Sequence, residues 1–245
     1  MEQLDREYIL LGYIVSFNSL REFLKYLEKD GNLIKINEEI SSDLELTELH
    51  TRLIKNKGPA ALIENVVNSN NTSSKMPALI NLFGTKERIA KALKVEEDEL
   101  RKFGELLAFL KNPKLPSDFK EGVELFPMLK RIFAMKPSIV KTAPCQDIVY
   151  LGDDINLNMF PIQSCWPLEP APLITWPLVV TYKNDPMKFS EYNLGIYRMQ
   201  LINKNKTLMR WLKARGGAEH HNLRVKAGKE NKMPVAAVIG CDPAT

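Results

Sequence analysis

The chain has 245 residues and a mass of 28.0 kDa, enough for one large domain or two modest ones. A hydrophobic fraction of 44% beside 26% charged residues excludes disordered and fibrous classes. Thirty-four Lys and Arg against 30 Asp and Glu give +4, too mild a charge to indicate nucleic acid on its own.

Tyr8 to Phe17 is a mostly apolar run of ten residues, whereas a membrane crossing needs roughly 20. Its flank, with Glu2, Asp5 and Glu7 against Arg6, is acidic where a secretory signal is basic, so neither export nor a membrane span is expected. The sequons at Asn70 and Asn71 are then expected to be inert. Ser19-Leu20-Arg21-Glu22 is a capping-box pattern. Leu20, Phe23, Leu24 and Leu27 follow at helical spacing, and Gly31 ends the run. Asn32 to Asn37 reads as a strand. Ser42-Asp43-Leu44-Glu45 opens a second helix, with Leu46, Leu49 and Leu53 on one face and Gly58 as its stop. Ala60 to Val67 is strand-like, and the polar Asn68 to Lys75 is a loop. A third helix is predicted over Lys86 to Leu93 and a fourth over Glu97 to Leu110.

Composition then shifts. Ten prolines between Pro113 and Pro177 exclude long helices there. A domain boundary near Lys141 divides an atypical extension (1–16) and an α/β domain (17–140) from a second domain (141–245). Strands are predicted over Ile174 to Tyr182, Leu194 to Ile202, Thr207 to Leu212 and Val235 to Ile239, with a hairpin turn at Asn203-Lys204-Asn205-Lys206. Short strands with close turns indicate a small barrel or sandwich.

Three cysteines, Cys145, Cys165 and Cys241, stand far apart with no C-x-x-C. They form neither a disulfide framework nor a zinc knuckle, and they fit a reducing compartment. From Lys183 to Lys232, 12 Lys and Arg meet 4 Asp and Glu, a local excess of +8. The lysines read as a solvated edge. The arginines differ: alternation puts Arg198 on the side of Leu194 and Ile196, and Arg210 on the side of Leu208 and Leu212. A guanidinium on an apolar face requires a carboxylate or phosphate, so either an internal salt bridge or an anion site explains them. Arg215-Gly216-Gly217 reads as a flexible turn whose N–H groups can approach an anion. Asn193 is a turn residue or a neutral oxygen ligand for a hard cation. Trp211 reads as core, His50 as a structural helix residue, and His220-His221 as a solvated loop. Serine–histidine hydrolase, phosphate-loop and dinucleotide fingerprints are absent.

Three motifs in order bear a resemblance: Asn193-Leu194-Gly195-Ile196-Tyr197-Arg198-Met199-Gln200, then Met209-Arg210-Trp211-Leu212-x-x-Arg215-Gly216-Gly217-Ala218, then Gly240-Cys241-Asp242-Pro243-Ala244-Thr245. With Pro161-Ile162-Gln163-Ser164-Cys165-Trp166-Pro167, Leu173-Ile174-Thr175-Trp176, Leu20-Arg21-Glu22-Phe23-Leu24, Gly58-Pro59-Ala60 and Leu82-Phe83-Gly84-Thr85, the chain resembles the UbiD decarboxylases from about Phe17 onward. The resemblance implies an α/β (α+β) amino-terminal domain followed by the first part of a flavin-binding split β-barrel. It implies a carboxy-lyase using prenylated FMN and Mn2+, similar to the 4-hydroxy-3-polyprenylbenzoate decarboxylase of ubiquinone biosynthesis.

By motif match, Asn193 is expected to bind the metal. Ile196, Tyr197, Arg198, Arg210, Trp211, Leu212, Arg215 and Gly216 are expected to line the cofactor. Arg198 also matches the arginine of the family's catalytic Glu-Arg-Glu (or Asp) network. The acidic proton donor, the carboxylate metal ligand and a carboxy-terminal domain are expected beyond Thr245. The chain is therefore expected to be an enzyme half that needs that missing part, or else a non-catalytic flavin-binding remnant or split-enzyme subunit. A polyprenylated aromatic acid substrate, homo-oligomerisation, no nucleic acid, and a cytoplasmic location with peripheral contact at the inner membrane face complete the expectation. Asn193 and Arg198 stand an odd number apart, on opposite faces of a regular strand. A bulge at Gly195, or Asn193 at the strand's mouth, would reconcile them.

Overall fold

The structure, a computed structural model, describes residues 17–111, 139–185, 188–228 and 232–245. The expected extension over 1–16 and Pro113, Pro116, Pro127 and Pro137 lie outside these residues. In chain order come α1 (Leu20–Lys29), β1 (Leu33–Ser41), α2 (Glu45–Lys55), β2 (Ala60–Val67), β3 (Ala78–Ile80), α3 (Lys86–Leu93) and α4 (Leu100–Lys111). Among the described residues from 139 to 172 the helical elements are short 3-10 turns, as the prolines dictate. Then follow β4 (Leu173–Ile174), β5 (Leu178–Tyr182), β6 (Tyr192–Ile196), β7 (Met199–Asn203), β8 (Lys206–Met209), α5 (Gly216–Lys226) and β9 (Ala236–Val238). No helix among the described residues is long and apolar enough to cross a membrane.

Two compact units form. Among the described residues, one draws on 17–30, 83–111, 139–143 and 242–245, the other on 31–82, 144–185, 188–228 and 232–241. In the first, Ser19 caps α1 by accepting from the Glu22 N–H at 3.2 Å. The Glu22 carboxylate reaches back to the Asn18 N–H at 2.8 Å, one residue beyond the usual box. Phe23 and Leu27 bury the inner face of α1, and Phe17 packs on Phe23 with ring centroids 4.9 Å apart. Thr85 caps α3 in the same way, and Lys91 of α3 bridges Asp30 and Glu87.

In the second unit β1 and β2 pair in parallel, joined through α2, and β3 adds antiparallel to β2. Leu46 of α2 packs on Ala61, Ile63, Val66 and Ile80 of the sheet, with Leu49 and Leu53 beside them. The helix starts at Glu45, later than the Ser42 opening. Leu44 takes a left-handed φ of 64°, and the Ser41 N–H donates to the Glu45 carboxylate at 2.7 Å.

Two open sheets follow, ordered β4-β7-β8 and β6-β5-β9. The chain thus has a mixed α/β architecture with the opening strands of a split β-barrel. The hairpin turn is where the sequence puts it, with Asn203 paired to Lys206. Two expected strands are corrected. Ile174 to Tyr182 divides into β4 and β5, which lie in different sheets, because Pro177 between them lacks the N–H a ladder needs. Leu194 to Ile202 divides into β6 and β7 at Tyr197-Arg198, where the chain leaves one sheet for the other. The β5–β6 register runs unbroken through Gly195, so no bulge lies there. A third correction is α5: the residues read as a flexible Gly-Gly turn and a solvated His-His loop form a helix of 11 residues.

Candidate cofactor site

Thr181 of β5 and Asn193 of β6 are cross-strand partners, so their side chains share a sheet face. Helix α5 lies against this face. Gly216, its first residue, stands so close to Asn193 that an added Cβ would fall 2.1 Å from Asn193 Oδ1. The amide is oriented from its other end. Asn193 Nδ2 donates to Thr181 Oγ1 and to Tyr197 Oη, each at 3.4 Å. Tyr197 Oη also accepts from the Gly217 N–H at 3.2 Å, satisfying a first-turn donor that no side-chain cap covers.

Tyr197 is buried because its ring lies beneath Gly195, where a Cβ would meet ring atoms at 2.8 Å. Trp211 stands edge-on to Tyr197, with centroids 6.1 Å apart, and edge-on to His221 at 6.0 Å. Its indole closes on Gly217, and its buried Nε1 has no hydrogen-bond partner among the described residues. On the far side of Thr181, His220 is buried (3% exposed) with Nδ1 2.9 Å from Thr181 Oγ1. Burial pushes the His220 imidazole below its ordinary value, and the Lys183 charge pushes the same way against Glu219 and Glu191. A neutral ring can accept the Thr181 hydroxyl proton, which leaves that oxygen's lone pairs to Asn193.

Arg198, Arg210 and Arg215 make no ion pair among the described residues. Arg198, Arg210 and Arg215 are all exposed. Arg198 and Arg210 flank the Met199–Met209 pair, at the next rung beyond the β7–β8 ladder. Arg215 is the N-cap residue of α5. Arg198 also acts on Cys165: burial pushes that thiol up and Glu169 raises it further, while the Arg198 charge lowers it. The backbone N–H of Cys165 donates to Glu169 at 2.8 Å.

Asn193, Tyr197, Trp211 and Gly216 therefore come together directly or through Gly217. Ile196 and Leu212 are half exposed, at 48% and 51%, and take no part in those contacts. Thr181, which carries no motif in the sequence, and His220, expected in a solvated loop but lying in α5, also belong to the cluster. The signal for Thr181 is two-residue alternation from the buried Val179. The sequence of α5 offers none, since Gly-Gly-Ala-Glu-His-His lacks apolar periodicity.

The donors present suit a phosphate. Arg215, exposed and without an ion pair among the described residues, caps a helix whose first residue leaves no room for a side chain. For Mn2+ the arrangement brings forward one neutral oxygen, Asn193 Oδ1. Among the described residues no group of three His, Cys, Asp or Glu could hold a metal. The residues described do not amount to a manganese site.

Two family models match the chain. One, described as the 3-octaprenyl-4-hydroxybenzoate carboxy-lyase N-terminal domain, covers residues 24–107. The other, the Rift-related domain of the same carboxy-lyase, covers 138–245. Among solved structures, the evolved dimeric form of the UbiD-class enzyme HmfF from Pelotomaculum thermopropionicum, in complex with prFMN, is 22% identical. It aligns with a TM-score of 0.70 over 93% of this chain and 45% of its own. The vanillic acid decarboxylase of Sedimentibacter hydroxybenzoicus in closed form is 24% identical, with a TM-score of 0.71 over 94% and 44%. The apo 3,4-dihydroxybenzoic acid decarboxylase from Enterobacter cloacae is 21% identical, with a TM-score of 0.68 over 94% and 44%. The chain spans less than half the length of these relatives.

Proposed function

The chain belongs to the UbiD family of carboxy-lyases, and from that membership we propose that it serves the non-oxidative decarboxylation of an aromatic acid with prenylated FMN. The observation that carries the reading is Asn193 packed on the first residue of α5, with the exposed Arg215 as that helix's N-cap and without an ion pair among the described residues. The prenylated flavin, when bound, would supply the sink for carbanionic charge left as CO2 departs. Arg215 and the Gly216 backbone would hold the phosphate end, with Arg210 adding charge. Arg198 would line the cofactor as well and grip the substrate carboxylate, orienting it for loss. Ile196, Trp211 and Leu212 would offer apolar surface to the ring system, with Tyr197 beneath them. Asn193 would add one oxygen to a cation whose remaining ligands come from elsewhere.

A 4-hydroxy-3-polyprenylbenzoate-like substrate, as in ubiquinone biosynthesis, is supported by the match to two domains of a 3-octaprenyl-4-hydroxybenzoate carboxy-lyase. Self-association is supported by the dimeric HmfF form. The division into domains at 17–140 and 141–245 is supported by the two models, whose matched segments end at 107 and resume at 138. A cytoplasmic location, with peripheral contact at the inner face of the membrane, would suit a lipophilic substrate.

A second reading, a flavin-binding subunit without turnover of its own, rests on the donor set, which suits a phosphate but among the described residues offers a cation one neutral oxygen. One experiment separates them. The chain is loaded with prenylated FMN and Mn2+ and assayed for CO2 release from the polyprenylated acid, alone and with a polypeptide carrying the remaining part of a UbiD enzyme. Turnover in either arm supports the decarboxylase. Retained flavin with no CO2 in both arms supports the binding subunit, and no retained flavin rejects both.

A further inference from the structure

We infer that Tyr197 is a positioning residue of the cofactor site: its hydroxyl ties the Asn193 amide to the first turn of α5 and acts on a bound flavin only through Asn193. The inference rests on the proposed flavin site and reassigns one of its residues from wall to support.

Tyr197 is one of the few buried residues in this stretch, between the exposed Ile196 and the exposed Arg198. Its phenol is held on three sides, by Gly195 above the ring, Trp211 at its edge and the α5 start at its tip. A phenolic oxygen has two acceptor positions. One takes the Gly217 N–H at 3.2 Å and the other the Asn193 Nδ2 at 3.4 Å. Both are thus filled by groups of the protein.

What the hydroxyl achieves is visible at Asn193. With Nδ2 committed inward to Tyr197 and Thr181, Oδ1 is left directed over Gly216. An Asn side chain is roughly two-fold about its last torsion, and its two ends differ in the sign of charge they present. Two inward hydroxyl acceptors select the nitrogen for the inside. Without the Tyr197 hydroxyl, one of those acceptors is gone and the Gly217 N–H loses its partner as well. The helix start and the amide then lose their shared anchor, while the ring contacts persist.

A double-mutant cycle on flavin affinity tests this, with FMN as the probe and binding read by quenching of flavin fluorescence. Tyr197→Phe keeps the ring against Trp211 and Gly195 and removes the hydroxyl alone. It is expected to weaken FMN binding roughly tenfold in the wild-type background and to have no effect on affinity in an Asn193→Ala background. A residue that merely supports the fold would lower the melting temperature in both backgrounds and leave this coupling at zero. Equal weakening in both backgrounds, or none in either, overturns the inference while the flavin site stands. Failure of the wild-type chain to bind FMN overturns the flavin site and the inference together. Should Tyr197→Phe not fold, Thr181→Val removes the amide's other acceptor. The same cycle with Asn193→Ala must then show the same vanishing effect, and a persistent effect overturns the inference.

Discussion

Asn193 and Gly216 meet without room for one further carbon: the point a Gly216 Cβ would occupy lies 2.1 Å from Asn193 Oδ1 and 2.6 Å from its Cγ. Gly216 opens α5, and in a helix Ala is ordinarily favoured over Gly by about 1 kcal/mol. Here the sign reverses, because Asn193 is pinned by Thr181 and Tyr197 and cannot swing aside without losing them. Gly216→Ala is expected to destabilise by roughly 1–3 kcal/mol. In thermal melts, Asn193→Ala in the same chain should restore most of the loss by opening the space. A Gly216→Ala protein as stable as the wild type would show that the two residues do not touch as described.

The three arginines call for the opposite pattern. Arg198, Arg210 and Arg215 are exposed and make no ion pair among the described residues. Replacing each by Gln should therefore shift stability by no more than about 0.5 kcal/mol. If they serve an anionic cofactor, the same changes should each weaken FMN binding by about 1.5 kcal/mol or more, roughly tenfold. The weakening should shrink as salt is raised, since exposed charges are screened. Melting curves and titrations on the same samples read both quantities. Unchanged affinity in all three variants would leave the arginines as solvated surface.

Much of the fold was legible where local chemistry decides it. Ser19 and the apolar spacing of Phe23 and Leu27 announce α1, and Leu46, Leu49 and Leu53 announce the inner face of α2. The break between β6 and β7 was hidden because Leu194 to Ile202 holds no proline or polar turn pair; its one trace is the shift of apolar positions from Leu194 and Ile196 to Met199 and Leu201 across Tyr197-Arg198. What ends β6 is tertiary: Tyr197 turns down under Gly195 and Gly217 instead of continuing the ladder. That break also dissolves the parity problem between Asn193 and Arg198, which no longer belong to one strand. Helix α5 was hidden for a different reason. Its two glycines are selected by close approach to Asn193 and Trp211, so the residues that look like a turn in the sequence are there for packing.

Thiol reactivity should separate the cysteines by burial. Cys145 is exposed, Cys241 partly covered and Cys165 buried. Desolvation raises the Cys165 thiol, which lowers its thiolate fraction as well as its access. Labelling of the native chain with a thiol reagent, followed by peptide mass analysis, should modify Cys145 first and Cys165 last. Unfolding in urea should abolish the order. Early modification of Cys165 in the native protein would contradict its place in the core.

Acidification should destabilise the fold through two histidines. Burial lowers His50 of α2, and burial with the Lys183 charge lowers His220 of α5, both from an ordinary value near 6.5. The unfolded chain therefore takes up these protons at a higher pH than the folded one. Stability is full above about 6.5, falls as pH drops through that value, and stops falling from this cause once the folded groups also protonate. The urea midpoint should accordingly be lower at pH 5.5 than at 7.5, a range in which ordinary carboxylates scarcely titrate. His220→Gln keeps an acceptor for the Thr181 hydroxyl and removes one titration, so it should flatten the dependence. His50→Gln should flatten it further. A midpoint that rises between pH 7.5 and 5.5 in the wild-type chain would mean that these imidazoles are charged in the native state, and that His220 cannot be accepting from Thr181.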